Sequence, residues 1–325
     1  MLKILLLSLL TLLIPASPQL TEAQQPAKVA KIGGLVSGGG LASGRELLQR
    51  ELHALGYVEG KNIAFEYRYS DGKIDRFSAL ADELVRLKVD VLVTSSTSAT
   101  VAAKKAARTI PIVFLNVGDP VASGLVDSLA RPGGNVTGIT SIDSVLAGKR
   151  LELLKETIPN LSRVAVLWNP QDQGSTQQWK ESQLAARELS LQLRSMEVTS
   201  ADKYEDVFKE AIKARIAALS VTQHPLASSN RKRIVDLVTK NRLPAIYSRG
   251  DYVTSGGLMS YGRDETEPYR RVASMVDKIL KGTKPGDLPV EQPTKFELLI
   301  NLKTATALGL TIPPVVLMRA EKVIK

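Results

Sequence analysis

VDVLVTSSTSATVAAKKAARTIPIVFLNVGD (residues 89–119) and IAALSVTQHPLASSNRKRIVDLVTKNRLPAIYSRGD (residues 216–251) can be laid side by side, element for element. Each runs an apolar strand, a polar loop, a basic helix and a Pro-led strand that leads into Gly-Asp. Short runs of Val, Ile and Leu with almost no alternation belong to strands covered on both faces, the condition of a parallel sheet between helices. A unit that occurs once in each half implies two similar α/β lobes.

The pattern extends outward from both copies. Before and after the first copy, strands are expected at 31–36, 62–69 and 135–140, with helices at 43–55 and 74–87. Around the second, strands are expected at 163–168 and 191–198, with helices at 146–157, 177–189 and 204–214; within it, 229–240 reads as one helix. The fold class is α/β, with two doubly wound, Rossmann-like lobes around a hinge. Lobe 1 is expected to take 28–142 plus about 257–290, and lobe 2 to take 143–256 plus about 291–325, with crossings near Asp143, Gly256 and Glu291. The carboxyl ends of both sets of strands then face one cleft, which several crossings allow to close.

The chain has 325 residues, 44% hydrophobic and 23% charged, the composition of a globular protein large enough for two cores. Lys3, the apolar run over 4–14 and Thr21-Glu22-Ala23 have the layout of a secretory signal peptide, residues 1–23, cut before Gln24. The run is shorter than the roughly 20 apolar residues a spanning helix needs, so no stable membrane insertion is expected after cleavage. Export and the absence of cysteine, which leaves no site for a lipid anchor, point to the periplasm. That absence also excludes thiol chemistry and Cys-based zinc sites.

A net charge of +10 raises the question of nucleic acid, but Lys and Arg are scattered among acids and aromatics make up only 5%. No nucleic-acid partner is expected. Catalysis is disfavoured as well: the two histidines are His53 and His224, and no H-E-x-x-H, G-x-S-x-G or P-loop occurs. GGLVSGGGLASG (33–44) imitates a dinucleotide fingerprint, with Gly38 and Gly40 in place but Ser43 at the third glycine position. It reads as a flexible loop at the cleft mouth, and no cofactor is expected.

LGYVEGKNI (55–63), DRFSALADELVRLKVDVLV (75–93), TIPIVFLNVGDPVASGLVDSLARPGGNVTGIT (109–140), RVAVLWNP (163–170), GGLMSYG (256–262) and DLPVEQPTKFELLINLKTATALGLTIPP (287–314) carry a resemblance. Together they resemble the ABC-transporter substrate-binding family that includes the tryptophan-binding TrpX proteins, over nearly the whole mature chain. The resemblance implies a type I periplasmic binding fold and a monomer that delivers a small molecule to permease and ATPase subunits. An amino acid is the first ligand class, aromatic ones included, with other small carboxylates or amides behind it. A sensory receptor on the same fold would present the same cleft.

Candidate ligand contacts follow from position at strand ends. Ser96, Thr97 and Ser98 open a helix, where exposed N–H groups and the dipole attract a carboxylate; plain N-capping is the alternative. Asp119 could accept from a ligand ammonium or cap its own turn, with Val117 and Gly118 offering backbone groups. Ser37 follows the first strand, with the glycines of the loop at the cleft mouth. In lobe 2 the equivalents are Asn169, Gln173, Gln223, His224 and Tyr247. Trp168, inside VAVLWNP, is read as core, and His224 before Pro225 as a turn residue rather than a charge switch.

Overall fold

The computed structural model describes residues 29–38, 42–264 and 266–325. The signal peptide and part of the glycine-rich loop lie outside the described residues. Lobe 1 is built on β1 (Ala30–Val36), β2 (Ile63–Tyr69), β3 (Val91–Thr94), β4 (Ile112–Val117) and β5 (Val136–Thr140), with α1 (Ala42–Ala54), α2 (Arg76–Arg86) and α3 (Thr97–Ala106) between them. The strands form a parallel sheet in the order β2-β1-β3-β4-β5. β3 is buried along its whole length, as its unbroken apolar sequence requires.

The chain crosses at Ser141–Val145 into lobe 2. There α4 (Leu146–Thr157), β6 (Arg163–Trp168), α5 (Gln173–Glu188), β7 (Gln192–Glu197), α6 (Tyr204–Lys213), β8 (Ala218–Val221), α7 (Pro225–Ser229), α8 (Arg231–Lys240), β9 (Ala245–Tyr247), α9 (Gly250–Thr254) and β10 (Met259–Arg263) follow. After α10 (Glu267–Leu280) the chain ends in β11 (Phe296–Asn301), α11 (Leu302–Leu308), α12 (Pro314–Leu317) and β12 (Lys322–Ile324). The second sheet has the order β12-β11-β10-β9-β8-β6-β7 and is parallel except between β10 and β11.

The expected return to lobe 1 near Gly256 is corrected by β10. Met259–Arg263 pairs with β9 and β11 in the second sheet, so this crossing follows Arg263. Gly256 and Gly257 are instead the turn from α9 into β10. Gly256 has φ +107°, and a Cβ on Gly257 would lie 2.5 Å from the Tyr247 ring. Only then does α10 pack Val272, Met275 and Val276 against Ile32, Val91 and Val113 of lobe 1. The final crossing follows Glu291, whose carbonyl accepts from Thr140 N at 3.0 Å.

Two helices depart from expectation. The helix expected at 177 starts at Gln173, because the Asp172 carboxylate accepts from Ser175 N at 2.8 Å and caps it earlier. The single helix expected over 229–240 is preceded by the short α7, and Asn230, at φ −111° and ψ 21°, separates the two.

At the first crossing, Arg150 of α4 is 1% exposed. It donates to the Tyr261 carbonyl at 2.8 Å and to the carbonyl and carboxylate of Asp143. The adjoining Ile142 has φ +47°, a strained backbone for a β-branched residue.

Candidate ligand-binding cleft

The carboxyl ends of β1, β3 and β4 face those of β6 and β8, and a polar chamber lies between them. Ser37, Ser95, Ser96, Thr97, Asn116, Gly118 and Ser141 line it from lobe 1; Asp143 sits at the crossing, and Asp172, Gly174, Gln178, Gln223, His224 and Pro225 line it from lobe 2.

Lobe 1 contributes the mouth of α3. Ser96 has extended backbone and its hydroxyl accepts from Ala99 N at 3.1 Å, which is N-capping as the sequence allowed. Thr100 donates to the Ser96 carbonyl at 2.7 Å and lies 2.7 Å from the Thr94 hydroxyl. The buried Ser95 hydroxyl has no partner. First-turn N–H groups of a helix lack intrahelical acceptors, so this end of α3 offers donors to an anion.

Lobe 2 contributes the titratable groups. Asp172 is 2% exposed and is bonded by Ser175 N at 2.8 Å and by the Ser98 hydroxyl, across the cleft, at 2.6 Å. Burial raises its pKa, against the opposing effect of these hydrogen bonds. His224 caps α7: its Nδ1 accepts from Ala227 N at 3.3 Å, which places the ring proton on Nε2. Nε2 is buried without a partner, and burial lowers the pKa to about 3, so the ring is a neutral donor. Gln178 holds Gln223 by both backbone groups, donating to its carbonyl at 3.0 Å and accepting from its N–H at 2.9 Å.

The lobes touch. Besides the Ser98–Asp172 bond, the Ser229 hydroxyl donates to the Ser37 carbonyl at 3.2 Å. The chamber retains about 20 Å³, space for about one water molecule. Next to it, Val36, Leu48, Tyr67, Val93, Leu115 and Tyr269 of lobe 1 line an apolar chamber of about 30 Å³. Ser95 lines both chambers.

The structure brings Ser37, Ser96, Thr97, Gly118, Gln223 and His224 to the polar chamber, and Ser98 to the bond across it. It places the other candidates elsewhere. Asp119 caps its own turn, accepting from Val121 N at 3.1 Å and Ala122 N at 2.9 Å, and the chamber's carboxylates are Asp172 and Asp143. The Val117 carbonyl accepts from Ser141 N at 2.9 Å, within the first crossing. Asn169 lines a wider groove between the lobes, of about 890 Å³, and Gln173 is exposed. Tyr247 lies in the lobe 2 core, stacked on Tyr252 at 4.5 Å; its neighbour Ser248 faces the other way and donates to Gln223 Oε1 at 3.2 Å. Trp168 is core, stacked on Trp179 at 5.5 Å and bonded to the Ser195 hydroxyl.

Sequence reasoning missed Ser95, Asp172 and Gln178. Asp172 had a signal, since Asp three residues before Ser175 is an N-cap pattern. Asn116 was also missed; its φ of +62° goes with the register shift in β4 and puts it on the chamber. Among the described residues no group of three or more His, Asp or Glu side chains is placed to hold a metal ion.

Residues 28–324 match the sequence profile of the ABC transporter substrate binding protein family. A tyrosine-binding protein of Clostridioides difficile (strain R20291) is 28% identical over 261 residues, 80% of this chain and 75% of that protein. The crystal structure of an ABC domain in complex with L-Trp from Streptococcus pneumonia superposes with a TM-score of 0.84 at 27% identity, covering 91% of this chain and 100% of that one. A ligand-free, open substrate binding protein with adhesive properties from Clostridium difficile gives 0.63 at 25% identity, with the same coverage. At nearly equal identity the likeness is tighter to the ligand-bound form, in keeping with the contacts across this cleft.

Proposed function

This chain belongs to the ABC transporter substrate binding protein family, and from that premise we propose that it is the extracytoplasmic receptor of an importer for an aromatic L-amino acid. The observation that carries the reading is the pair of chambers joined at Ser95. A zwitterionic head group needs an anionic acceptor for its ammonium and donors for its carboxylate. Asp172 supplies the first: among its bonded partners there is no cation. The α3 terminus, the Ser95 hydroxyl and His224 Nε2–H supply the second. The side chain then enters the apolar chamber beside Leu48, Tyr67 and Tyr269, where aromatic packing and burial hold it.

Room for such a ligand requires the lobes to separate, and a ligand that touches both lobes stabilises their closure. Permease and ATPase subunits would then take the solute from the closed receptor outside the cytoplasm. The tyrosine-binding relative and the L-Trp-bound neighbour support this ligand class.

Calorimetric titration of the mature chain tests it with L-tyrosine, L-tryptophan, tyramine, 3-(4-hydroxyphenyl)propionate, L-alanine and ribose. Binding of the aromatic amino acids, with at least about tenfold weakening when ammonium, carboxylate or ring is removed, is the expected result. Equal binding of the propionate, or preference for ribose, would refute the assignment of Asp172 or of the ligand class.

A further inference from the structure

A third cavity between the lobes, of about 490 Å³, shares no lining residue with the polar chamber. Four buried polar atoms without a partner belong to its lining residues: Nη1 and Nη2 of Arg263, Nε of Arg231 and the Ser260 hydroxyl. All four can donate. Arg263 is 7% exposed and ends β10. Gly262 allows the strand to come this close to its neighbour, since a Cβ there would fall 1.9 Å from the Ser248 carbonyl oxygen.

Among the described residues none of the other charged groups on the cavity hydrogen-bonds Nη1 or Nη2 of Arg263. Asp251 is bonded by Arg231 at 2.6 Å and by Arg249 at 3.0 Å, and Glu297 also lines the wall. Among the described lining residues the charged side chains are Arg231, Arg249, Arg263, Asp251 and Glu297. Leu47 of α1 and Tyr269 of α10 complete the wall from lobe 1.

Buried charges are paired in stable proteins, and a guanidinium fork fits an oxyanion through two parallel hydrogen bonds. We propose that this cavity is a second binding site, in which Arg263, Arg231 and Ser260 hold a small oxyanion of the carboxylate, sulfate or phosphate class. The site shares no residue with the polar chamber and borders the apolar one through Tyr269, which lines both; its anion binding does not rest on the amino-acid assignment. The anion has two possible sources: a free inorganic ion, or an acidic group on a molecule bound in the cleft.

The test uses the mature chain and Arg263→Gln in buffer without oxyanions, with sodium sulfate titrated at constant ionic strength and the melting temperature and heat of binding recorded. Saturable binding and a rising melting temperature are expected in the parent chain, with at least tenfold weaker binding in the variant. Without sulfate the variant should melt at or above the parent, because a buried unpaired charge has been removed. An identical sulfate response in both proteins, or no saturable response in the parent, overturns the proposal. If Arg263→Gln does not fold, Ser260→Ala serves: weaker sulfate binding supports the site and unchanged binding refutes it.

Repeating the titration with saturating L-tyrosine separates the sources. Competition assigns the cavity to an acidic group of the cleft ligand, and independent binding assigns it to a free ion. L-tyrosine binding is expected to stay within about threefold in Arg263→Gln. Absence of tyrosine binding in both proteins would count against the amino-acid reading and leave the sulfate result standing.

Discussion

The two lips of the polar chamber share a backbone plan and differ in chemistry. Ser96 and His224 each follow a buried strand and cap a helix, with φ/ψ of −164°/164° and −161°/162°. Each accepts from the N–H three residues on, Ala99 or Ala227. The serine caps with the same oxygen that carries its O–H, whereas the imidazole separates the two roles: Nδ1 caps and Nε2–H is left for the cleft. The same division holds around them. Among the described residues lobe 1 lines the chamber with hydroxyls, an amide and a glycine, while Asp172 and His224 come from lobe 2. A ligand can thus meet lobe 1 through neutral groups and gain its one uncompensated carboxylate when lobe 2 closes.

That division depends first on Arg150, which neutralises Asp143 at the crossing and leaves Asp172 as the carboxylate without a cation. Arg150→Ala should lower stability by about 3–5 kcal/mol in chemical denaturation, because a buried carboxylate loses its partner. A loss below about 1 kcal/mol would show that the pair is not the brace described.

The next effect is smaller and falls on binding. Asp172→Asn should weaken L-tyrosine binding by about 10- to 100-fold, the equivalent of about 1.5–3 kcal/mol for a hydrogen bond to a charged group, without lowering ligand-free stability. The pH dependence has a definite sign. Burial raises the Asp172 pKa, so the protonated carboxyl favours closure of the free protein, and that contribution is lost as pH rises through the raised pKa. Ammonium binding runs the opposite way and weakens as pH falls. Titrations over the acidic range should show this slope in the parent and a flat profile in Asp172→Asn; equal slopes would contradict the role of Asp172.

The smallest effect makes the two caps alike. His224→Ser keeps an acceptor for Ala227 N, so stability should hold within about 0.5 kcal/mol, while loss of the Nε2 donor weakens L-tyrosine binding about three- to tenfold. With its pKa lowered to about 3, neutral His224 contributes stability that is present above the ordinary value of 6.5 and declines as pH falls toward 3. The serine variant should lack that part of the acid slope, and unchanged denaturation curves in acid would count against a buried neutral ring.

The two-lobed α/β fold was legible because buried parallel strands carry their signature in continuous apolar runs, and the duplicated unit over 89–119 and 216–251 is local in sequence. The family resemblance was equally legible, in long motifs. The second crossing was not, since whether β10 pairs in one sheet or the other depends on contacts with β9 and β11, far apart in sequence. Six of the fourteen described residues that line the chamber were reached by the rule that ligands sit at strand ends: Ser37, Ser96, Thr97, Gly118, Gln223 and His224. Tyr247 broke it because its side chain turns into the lobe 2 core, while the neighbouring Ser248 reaches the chamber only indirectly, by donating to Gln223. Asp119 and Asp172 have the same capping chemistry on the page of the sequence. In the fold Asp172 is buried on the chamber with Ser98 approaching from the other lobe, whereas Asp119 is half-buried outside it.

Small-angle X-ray scattering of the mature chain, with and without L-tyrosine, reads closure of the two lobes over the ligand. The free protein should have a larger radius of gyration than the closed arrangement, in which the lobes meet through Ser98–Asp172 and Ser37–Ser229. Saturating ligand should reduce that radius to the value of the closed arrangement. An identical radius in both states would contradict capture by closure between the two lobes.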